Sequence, residues 1–161
     1  MGAIGKIIVG LMPIAPKFLV KRIAGRYVAG SNLESAIDLM KNMSKEDACF
    51  TIDVLGEEIN DIGEARYFVD EYSRVLELIV SNQINANISL KPTALGLLID
   101  KEVALSNIEE IMEKAALNDI FVRLDMEDHR VTQETIDVVL EMQKKGFENI
   151  GTVLQLSLIH I

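Results

Sequence analysis

The chain has 161 residues, of which 49% are hydrophobic and 25% are charged, and its formal net charge is -9. This length allows one ordinary domain, and this composition is that of a folded protein rather than a disordered one. The 25 acidic residues outnumber the 16 basic ones, so the sequence lacks the basic surface that a nucleic-acid-binding protein needs.

The first 30 residues are predicted to form a helical segment ahead of the main domain. Residues 7–15 are apolar and follow Lys6, which resembles the start of a signal peptide, but Pro13 and Pro16 interrupt the stretch and Lys17 follows it. The stretch is also much shorter than the roughly 20 residues needed to cross a bilayer. We therefore expect a cytoplasmic segment, and contact with the inner face of the membrane is the alternative.

Four short runs of apolar and β-branched residues recur along the chain, at residues 49–55, 86–90, 120–124 and 150–154. Runs that are apolar on both faces are typical of strands buried in a parallel sheet. Segments of helix length separate them, so the repeating unit is strand, helix, strand.

The repeat favours a parallel βα barrel of the TIM type over a doubly wound open sheet. The first run is followed by Leu55-Gly56-Glu57-Glu58, which lacks the G-x-G-x-x-G turn of most nucleotide-binding open sheets. A complete barrel takes about 250 residues. Residues 31–155 are therefore expected to be its first four βα units.

Several polar side chains are predicted to cap the helices of these units. Ser31 with Glu34, and Asp61 with Glu64, have the spacing of a capping box, and Thr132 is predicted to cap the last helix.

The single cysteine and the two histidines exclude other classes of protein. Cys49 cannot form an intramolecular disulfide, and its place at the head of the first strand predicts a small buried residue in a reducing compartment. His129 and His160 lie far apart in the sequence and lack partners at helical spacing, so no metal site is expected.

Polar residues end or follow every predicted strand. In a barrel of this type the reactive groups lie at the carboxyl ends of the strands. At these positions the sequence has polar residues after each strand in turn, namely Asp53 and Glu57, Lys91, Asp125 with Glu127 and Asp128, and Gln155. Equivalent positions on four strands predict an active site at this rim.

Lys91 and Asp125 are the leading candidates within it. Pro92 keeps Lys91 extended, and the cation can then hold a carboxylate or form a Schiff base with a carbonyl substrate. Asp125 is expected to face the barrel mouth, while Arg123 is expected to point the opposite way, toward the helices. Residues 127–130 are expected to form a solvated loop.

Four segments in this order resemble the proline dehydrogenase family in its bacterial monofunctional form. They are DVLGE at residues 53–57, ISLKPTALG at 88–96, VRLDMED at 122–128 and VLQ at 153–155, with RYVAG upstream at 26–30. The resemblance implies a distorted βα barrel that binds FAD without a Rossmann fold. It also implies oxidation of L-proline to Δ1-pyrroline-5-carboxylate, with electrons passed to a membrane quinone.

The resemblance also implies roles for individual residues. Lys91 would bind the substrate carboxylate, and Asp125 would be the active-site aspartate. Met126 and Gln155 would contact the flavin, and Asp53 would lie near the substrate.

Two features depart from the family pattern. Glu57 would pair with an arginine from the last barrel helix, which this sequence does not contain, and residues 156–161 do not continue the family sequence. We expect this tail to be non-native or truncated, and the chain alone to be an inactive fragment. Two alternatives stay open, a TIM-barrel lyase or aldolase that uses Lys91 as a Schiff base, and an inert α/β fragment.

Overall fold

The computed structural model describes Gly25, residues 27–30 and residues 32–155. Most of the N-terminal segment expected over residues 1–30 lies outside this part of the chain, as do the expected cap Ser31, the tail 156–161 and His160. Within the described part, no helix combines the length and the apolar character needed to cross a membrane.

The chain divides into two compact units, residues 1–42 and 43–161. Helix α1 (Leu33–Ser44) begins in the first unit. Asn32 caps it, because Asn32 Oδ1 accepts hydrogen bonds from the backbone N of Ser35 at 3.0 Å and from Ser35 Oγ at 2.6 Å. The cap satisfies one of the free N–H groups of the first turn.

The second unit is built on a four-stranded parallel sheet in the order β1-β2-β3-β4. Its strands are β1 (Phe50–Asp53), β2 (Ala86–Leu90), β3 (Val122–Leu124) and β4 (Ile150–Thr152). They alternate with helices α2 (Ala65–Ser81), α3 (Lys101–Ala116) and α4 (Thr132–Lys144). Turns of 3-10 helix precede α2 (Ile62–Glu64) and α4 (His129–Val131). This arrangement confirms the predicted α/β fold of successive parallel βα units.

One face of the sheet is apolar, and it is buried on β2, β3 and β4 and partly buried on β1. The register places Ile52, Ile88, Val122 and Ile150 in one row across the four strands. Ile88 and Val122 are 0% exposed, as are several residues of α3, among them Ile108. The core therefore lies between this face and the helices, where truncation of a buried isoleucine to alanine costs about 2–5 kcal/mol.

The opposite face carries polar side chains. Arg123 Nη2 donates to Thr51 Oγ1 at 3.0 Å and to Asn87 Oδ1 at 2.9 Å. The expectation that Arg123 points toward the helices is therefore wrong. Side chains two residues apart on a strand share a face, so Arg123 lies on the same face as Asp125.

The turn before α4 is capped by a different residue from the one expected. Thr132 is the first residue of α4 and does not cap it. Asp128 accepts a hydrogen bond from the backbone N of Arg130 at 2.7 Å and so caps the 3-10 turn that precedes the helix. The apolar spacing of the helix does not reveal this turn. Before α2, Asp61 accepts a hydrogen bond from the backbone N of Gly63 and likewise caps the preceding 3-10 turn, whereas Glu64, at the N-cap position of α2, makes no side-chain cap hydrogen bond, so the predicted capping box is not complete.

Cys49 is exposed rather than buried. The reason is that β1 begins only at Phe50, so Cys49 lies before the strand instead of within it. Its Sγ accepts a hydrogen bond from Asn85 Nδ2 at 3.1 Å.

Candidate active site

The carboxyl ends of β1, β2 and β3 bring one lysine between two aspartates. Lys91 Nζ lies 3.3 Å from Asp53 Oδ2 and 3.2 Å from Asp125 Oδ2. The Lys91 side chain is 14% exposed, so the ammonium is largely shielded from water. One cation against two anions gives this triad a formal charge of -1.

The two aspartates keep Lys91 charged. Burial acts to lower the pKa of Lys91, but the hydrogen bond to Asp125 and the charges of Asp53 and Asp125 outweigh burial and raise its pKa above the ordinary lysine value. At neutral pH the side chain is therefore an ammonium, a donor of up to three hydrogen bonds that suits a carboxylate ligand.

Asp125 is held on both of its carboxylate oxygens. Ser89 Oγ donates to Asp125 Oδ1 at 2.5 Å, and Lys91 Nζ donates to Asp125 Oδ2 at 3.2 Å. Ser89 is 4% exposed. Because Ser89 and Lys91 are two residues apart, they point to the same side of the chain as it leaves β2.

Tyr72 of α2 reaches the same cluster from the helical layer. Its hydroxyl donates to the backbone carbonyl of Ser89 at 2.7 Å and lies 3.2 Å from Asp53 Oδ1, and it accepts a hydrogen bond from the backbone N of Val54 at 3.2 Å. Burial raises the pKa of Tyr72 well above its ordinary value, so the phenol stays protonated.

Glu127 is anchored instead of solvated, contrary to expectation. Thr93 donates to it twice, from the backbone N to Oε2 and from Oγ1 to Oε1, both at 2.9 Å. Burial raises the pKa of Glu127 against the opposing effects of the Thr93 hydrogen bonds and the Lys91 charge, and the charge of Glu57 raises it further. The two hydrogen bonds explain why this loop residue turns inward.

The loop beyond Glu127 is tied to the loop after β1. Arg130 Nη2 bonds to Asp128 Oδ2 at 2.9 Å and also to Glu58 Oε1. Its hydrogen bond lowers the pKa of Asp128 to about 2. The expected solvated loop is thus exposed at Arg130 but ordered by charge pairs.

Most of the candidate residues line one cavity of about 380 Å³. Its lining consists of Glu57, Lys91, Asp125, Met126, Glu127, Val153 and Gln155. Asp53 joins this group through its ion pair with Lys91. The structure therefore brings together the six residues predicted to form the site.

The sequence did not single out Ser89 or Tyr72, and it placed Glu127 at the rim but in a solvated loop. Strand alternation with Lys91 could have indicated Ser89, since the two share a face. Tyr72 gave no such signal, because its place in the helix predicts burial and not the direction in which its hydroxyl reaches. In the part of the chain that the structure describes, no group of three or more His, Cys, Asp or Glu side chains could hold a metal ion.

Comparison with known proteins places these residues in a family context. A family model described as proline dehydrogenase matches residues 36–158. The chain is 36% identical to proline dehydrogenase 1 of Bacillus subtilis (strain 168) over 132 residues, which cover 82% of this chain and 43% of that protein. It is 32% identical over 141 residues to a proline dehydrogenase of Deinococcus radiodurans, covering 83% of this chain and 44% of that protein. The chain thus spans less than half the length of these relatives.

A solved structure has a similar fold over most of this chain. The crystal structure of proline utilization A from Bdellovibrio bacteriovorus, inactivated by N-propargylglycine, aligns with a TM-score of 0.72 and 23% identity. The alignment covers 86% of this chain and 17% of that one. The likeness concerns the fold and agrees with the predicted βα barrel of the TIM type.

Proposed function

The chain belongs to the proline dehydrogenase family, and we propose that its protein oxidises L-proline to Δ1-pyrroline-5-carboxylate with FAD as cofactor. In this reaction C5 of zwitterionic proline gives up a hydride, the ring nitrogen gives up one of its two protons to water, and a double bond forms between the two atoms. The observation that carries the proposal is the position of Lys91 Nζ between Asp53 and Asp125 beside a cavity that Met126 and Gln155 also line.

The charges of the triad suit a zwitterionic amino acid. A substrate carboxylate can accept hydrogen bonds from the Lys91 ammonium, a charge-assisted contact of the stronger kind. Asp53, Lys91 and Asp125 together carry a net charge of -1, which favours a cationic amine over a neutral group at the other end of the substrate. A simple carboxylic acid would meet only half of this pattern.

The remaining cavity residues fit one side of a flavin site. Met126 and Val153 offer apolar surface and Gln155 offers an amide that can donate and accept hydrogen bonds, which is the mixture that a flat heteroaromatic cofactor requires. When bound, FAD supplies the acceptor for the hydride. We assign contact with it to Met126 and Gln155.

Further parts of the proposal rest on the family resemblance alone. Glu57, which is exposed and lines the cavity, is assigned to an ion pair with an arginine from the last barrel helix. A membrane quinone is the proposed electron acceptor, and the proposed location is the cytoplasm with peripheral contact at the inner membrane face.

The lyase or aldolase alternative fits the site less well. A lysine that forms a Schiff base must lose its proton, and enzymes achieve this by lowering its pKa. Here the neighbouring aspartates raise the pKa of Lys91. The cluster therefore favours a lysine that binds a carboxylate over one that attacks a carbonyl.

The proposal is tested on the full-length protein purified with its bound cofactor. We expect a flavin absorbance that corresponds to nearly one FAD per protein. We also expect the protein to reduce a quinone analogue only when L-proline is present. Asp125→Ala should lower kcat/KM at least about tenfold, the loss of roughly 1.4 kcal/mol of transition-state stabilisation. Borohydride trapping of a carbonyl compound on Lys91 without any flavin would overturn the proposal in favour of the Schiff-base alternative. A protein that shows neither proline oxidation nor borohydride trapping on Lys91 would support the alternative of an inert α/β protein.

A further inference from the structure

The backbone ladder between β1 and β2 is interrupted at the end that carries the charged residues. The ladder begins with Phe50 N donating to Asn85 O at 3.0 Å. Donors in a parallel ladder recur at every second residue, and the register pairs Asp53 with Ser89. By this count the last hydrogen bond of the ladder would join Val54 N to Ser89 O.

The hydroxyl of Tyr72 occupies the place of that hydrogen bond. Val54 N donates to Tyr72 Oη at 3.2 Å, and Tyr72 Oη donates to Ser89 O at 2.7 Å. A single side-chain oxygen thus satisfies both backbone groups while keeping the two strands apart.

The neighbouring ladders are not interrupted at this level. Asp125 N donates directly to Leu90 O at 2.9 Å, and Val153 N donates directly to Leu124 O at 3.1 Å. The strands β2, β3 and β4 therefore remain backbone-paired up to their carboxyl ends, and the interruption belongs to β1 and β2.

The inserted hydroxyl also touches the charged triad. Tyr72 Oη lies 3.2 Å from Asp53 Oδ1, whereas Lys91 binds the other oxygen, Oδ2, at 3.3 Å. Tyr72 is 1% exposed, and a buried phenol that keeps its proton can accept from one strand and donate to the other. Its position therefore fixes both the spacing of the strands and the orientation of Asp53.

We propose that Tyr72 is a positioning residue, whose hydroxyl replaces a backbone hydrogen bond between β1 and β2 and sets Asp53 relative to Lys91. This inference rests on the proposed function, because its consequence is the recognition of the substrate by the triad. Loss of the hydroxyl would let β1 close on β2 and would release Asp53 from one of its two contacts.

The test compares Tyr72→Phe with Tyr67→Phe in the full-length flavoprotein. Each variant loses one hydroxyl from α2, and Tyr67 is 60% exposed, which makes it the matched control. We expect Tyr72→Phe to raise the KM for L-proline about tenfold and to change kcat less than about threefold, with FAD retained. Tyr67→Phe should match the wild type. Amide exchange over residues 50–56 should accelerate in Tyr72→Phe alone.

A double-mutant cycle with Asp53→Asn separates positioning from simple support of the fold. If Tyr72 acts through Asp53, adding Tyr72→Phe to Asp53→Asn should change KM by less than about twofold. Fully multiplicative effects, wild-type kinetics in Tyr72→Phe, or loss of its fold or FAD would each overturn the positioning role. A wild-type protein that does not oxidise proline would instead overturn the proposed function, and this role with it, whatever the exchange rates are.

Discussion

Ser89 controls the orientation of Asp125, because its hydroxyl donates a 2.5 Å hydrogen bond to Asp125 Oδ1 while Lys91 binds Oδ2 of the same carboxylate. Both donors come from the end of β2 or the residue after it. A carboxylate held at both oxygens cannot rotate without breaking one contact, so the orientation of Asp125 depends on the neighbouring strand.

Replacement of Ser89 by alanine should therefore weaken the site without removing any charge. A hydrogen bond to a charged group contributes about 1.5–3 kcal/mol, so Ser89→Ala is expected to lower kcat/KM for L-proline at least about tenfold. Ser106→Ala, at an exposed serine on α3, is the control and should leave the kinetics unchanged. Equal kinetics for the two variants would show that Asp125 keeps its orientation without Ser89.

Lys91→Met is expected to act on substrate binding. It removes a charge-assisted contact of about 1.5–3 kcal/mol, which corresponds to a KM for L-proline raised roughly 10- to 100-fold. Flavin absorbance should persist, because Lys91 is assigned to the substrate and Met126 and Gln155 to the cofactor. Steady-state kinetics on the flavin-loaded variant give the answer, and an unchanged KM would exclude the assigned role.

Glu127 should make the stability of the protein depend on pH. Its pKa in the folded state is raised above 4.5, so folding favours the protonated form. Its contribution is fully present below the unfolded pKa and is lost as the pH rises through the raised folded value. The Tm of the wild type relative to Glu127→Gln should thus fall as the pH rises above the ordinary glutamate pKa of 4.5. A difference in Tm that is constant above this pH would contradict the raised pKa.

Gly56, in the loop after β1, and Gly146, after α4, can be compared to measure how much a nearby side chain adds to the cost of replacing a glycine of positive φ. Both have positive φ, +153° and +98°, but a Cβ at Gly56 would lie 2.4 Å from the Phe68 ring, whereas one at Gly146 would meet nothing within 4 Å. Gly146→Ala should cost about 1–2 kcal/mol for its backbone alone. Gly56→Ala should cost about 1–3 kcal/mol more, because the added methyl overpacks the ring. Chemical denaturation of the two variants measures the difference, and equal losses would mean that Phe68 moves aside freely.

The sequence predicted the order of strands and helices because burial on both faces leaves continuous apolar runs. It placed the end of β1 at residue 55, whereas the strand ends at Asp53. The physical reason is that Val54 N bonds to a helix side chain, Tyr72, instead of to β2. A tertiary contact of this kind leaves no trace in the hydrophobic pattern.

The charged residues Lys91 and Asp125 of the candidate site could be predicted from the sequence, but the contacts that hold the site in place could not. Lys91 and Asp125 were identified because each follows a strand, and strand ends meet at one rim. The inward turn of Glu127 depends on two hydrogen bonds from Thr93, a residue 34 positions earlier in the chain. Arg123 was placed on the wrong face because it was assigned the side opposite to Asp125, although residues two apart on a strand share a face.

The polar face of the sheet, which carries Thr51, Asn87 and Arg123, has a consequence for synthesis on the ribosome. The strands begin at residues 50, 86, 122 and 150, and each pairs with the strand made just before it. At translation rates of about 5–20 residues per second, a new strand can dock every few seconds against one that is already in place. Thr51, Asn87 and Arg123 meanwhile give the growing sheet a hydrated surface on the side away from its helices. We therefore expect the partly synthesised sheet to resist aggregation until its next strand is made, with little need of a chaperone.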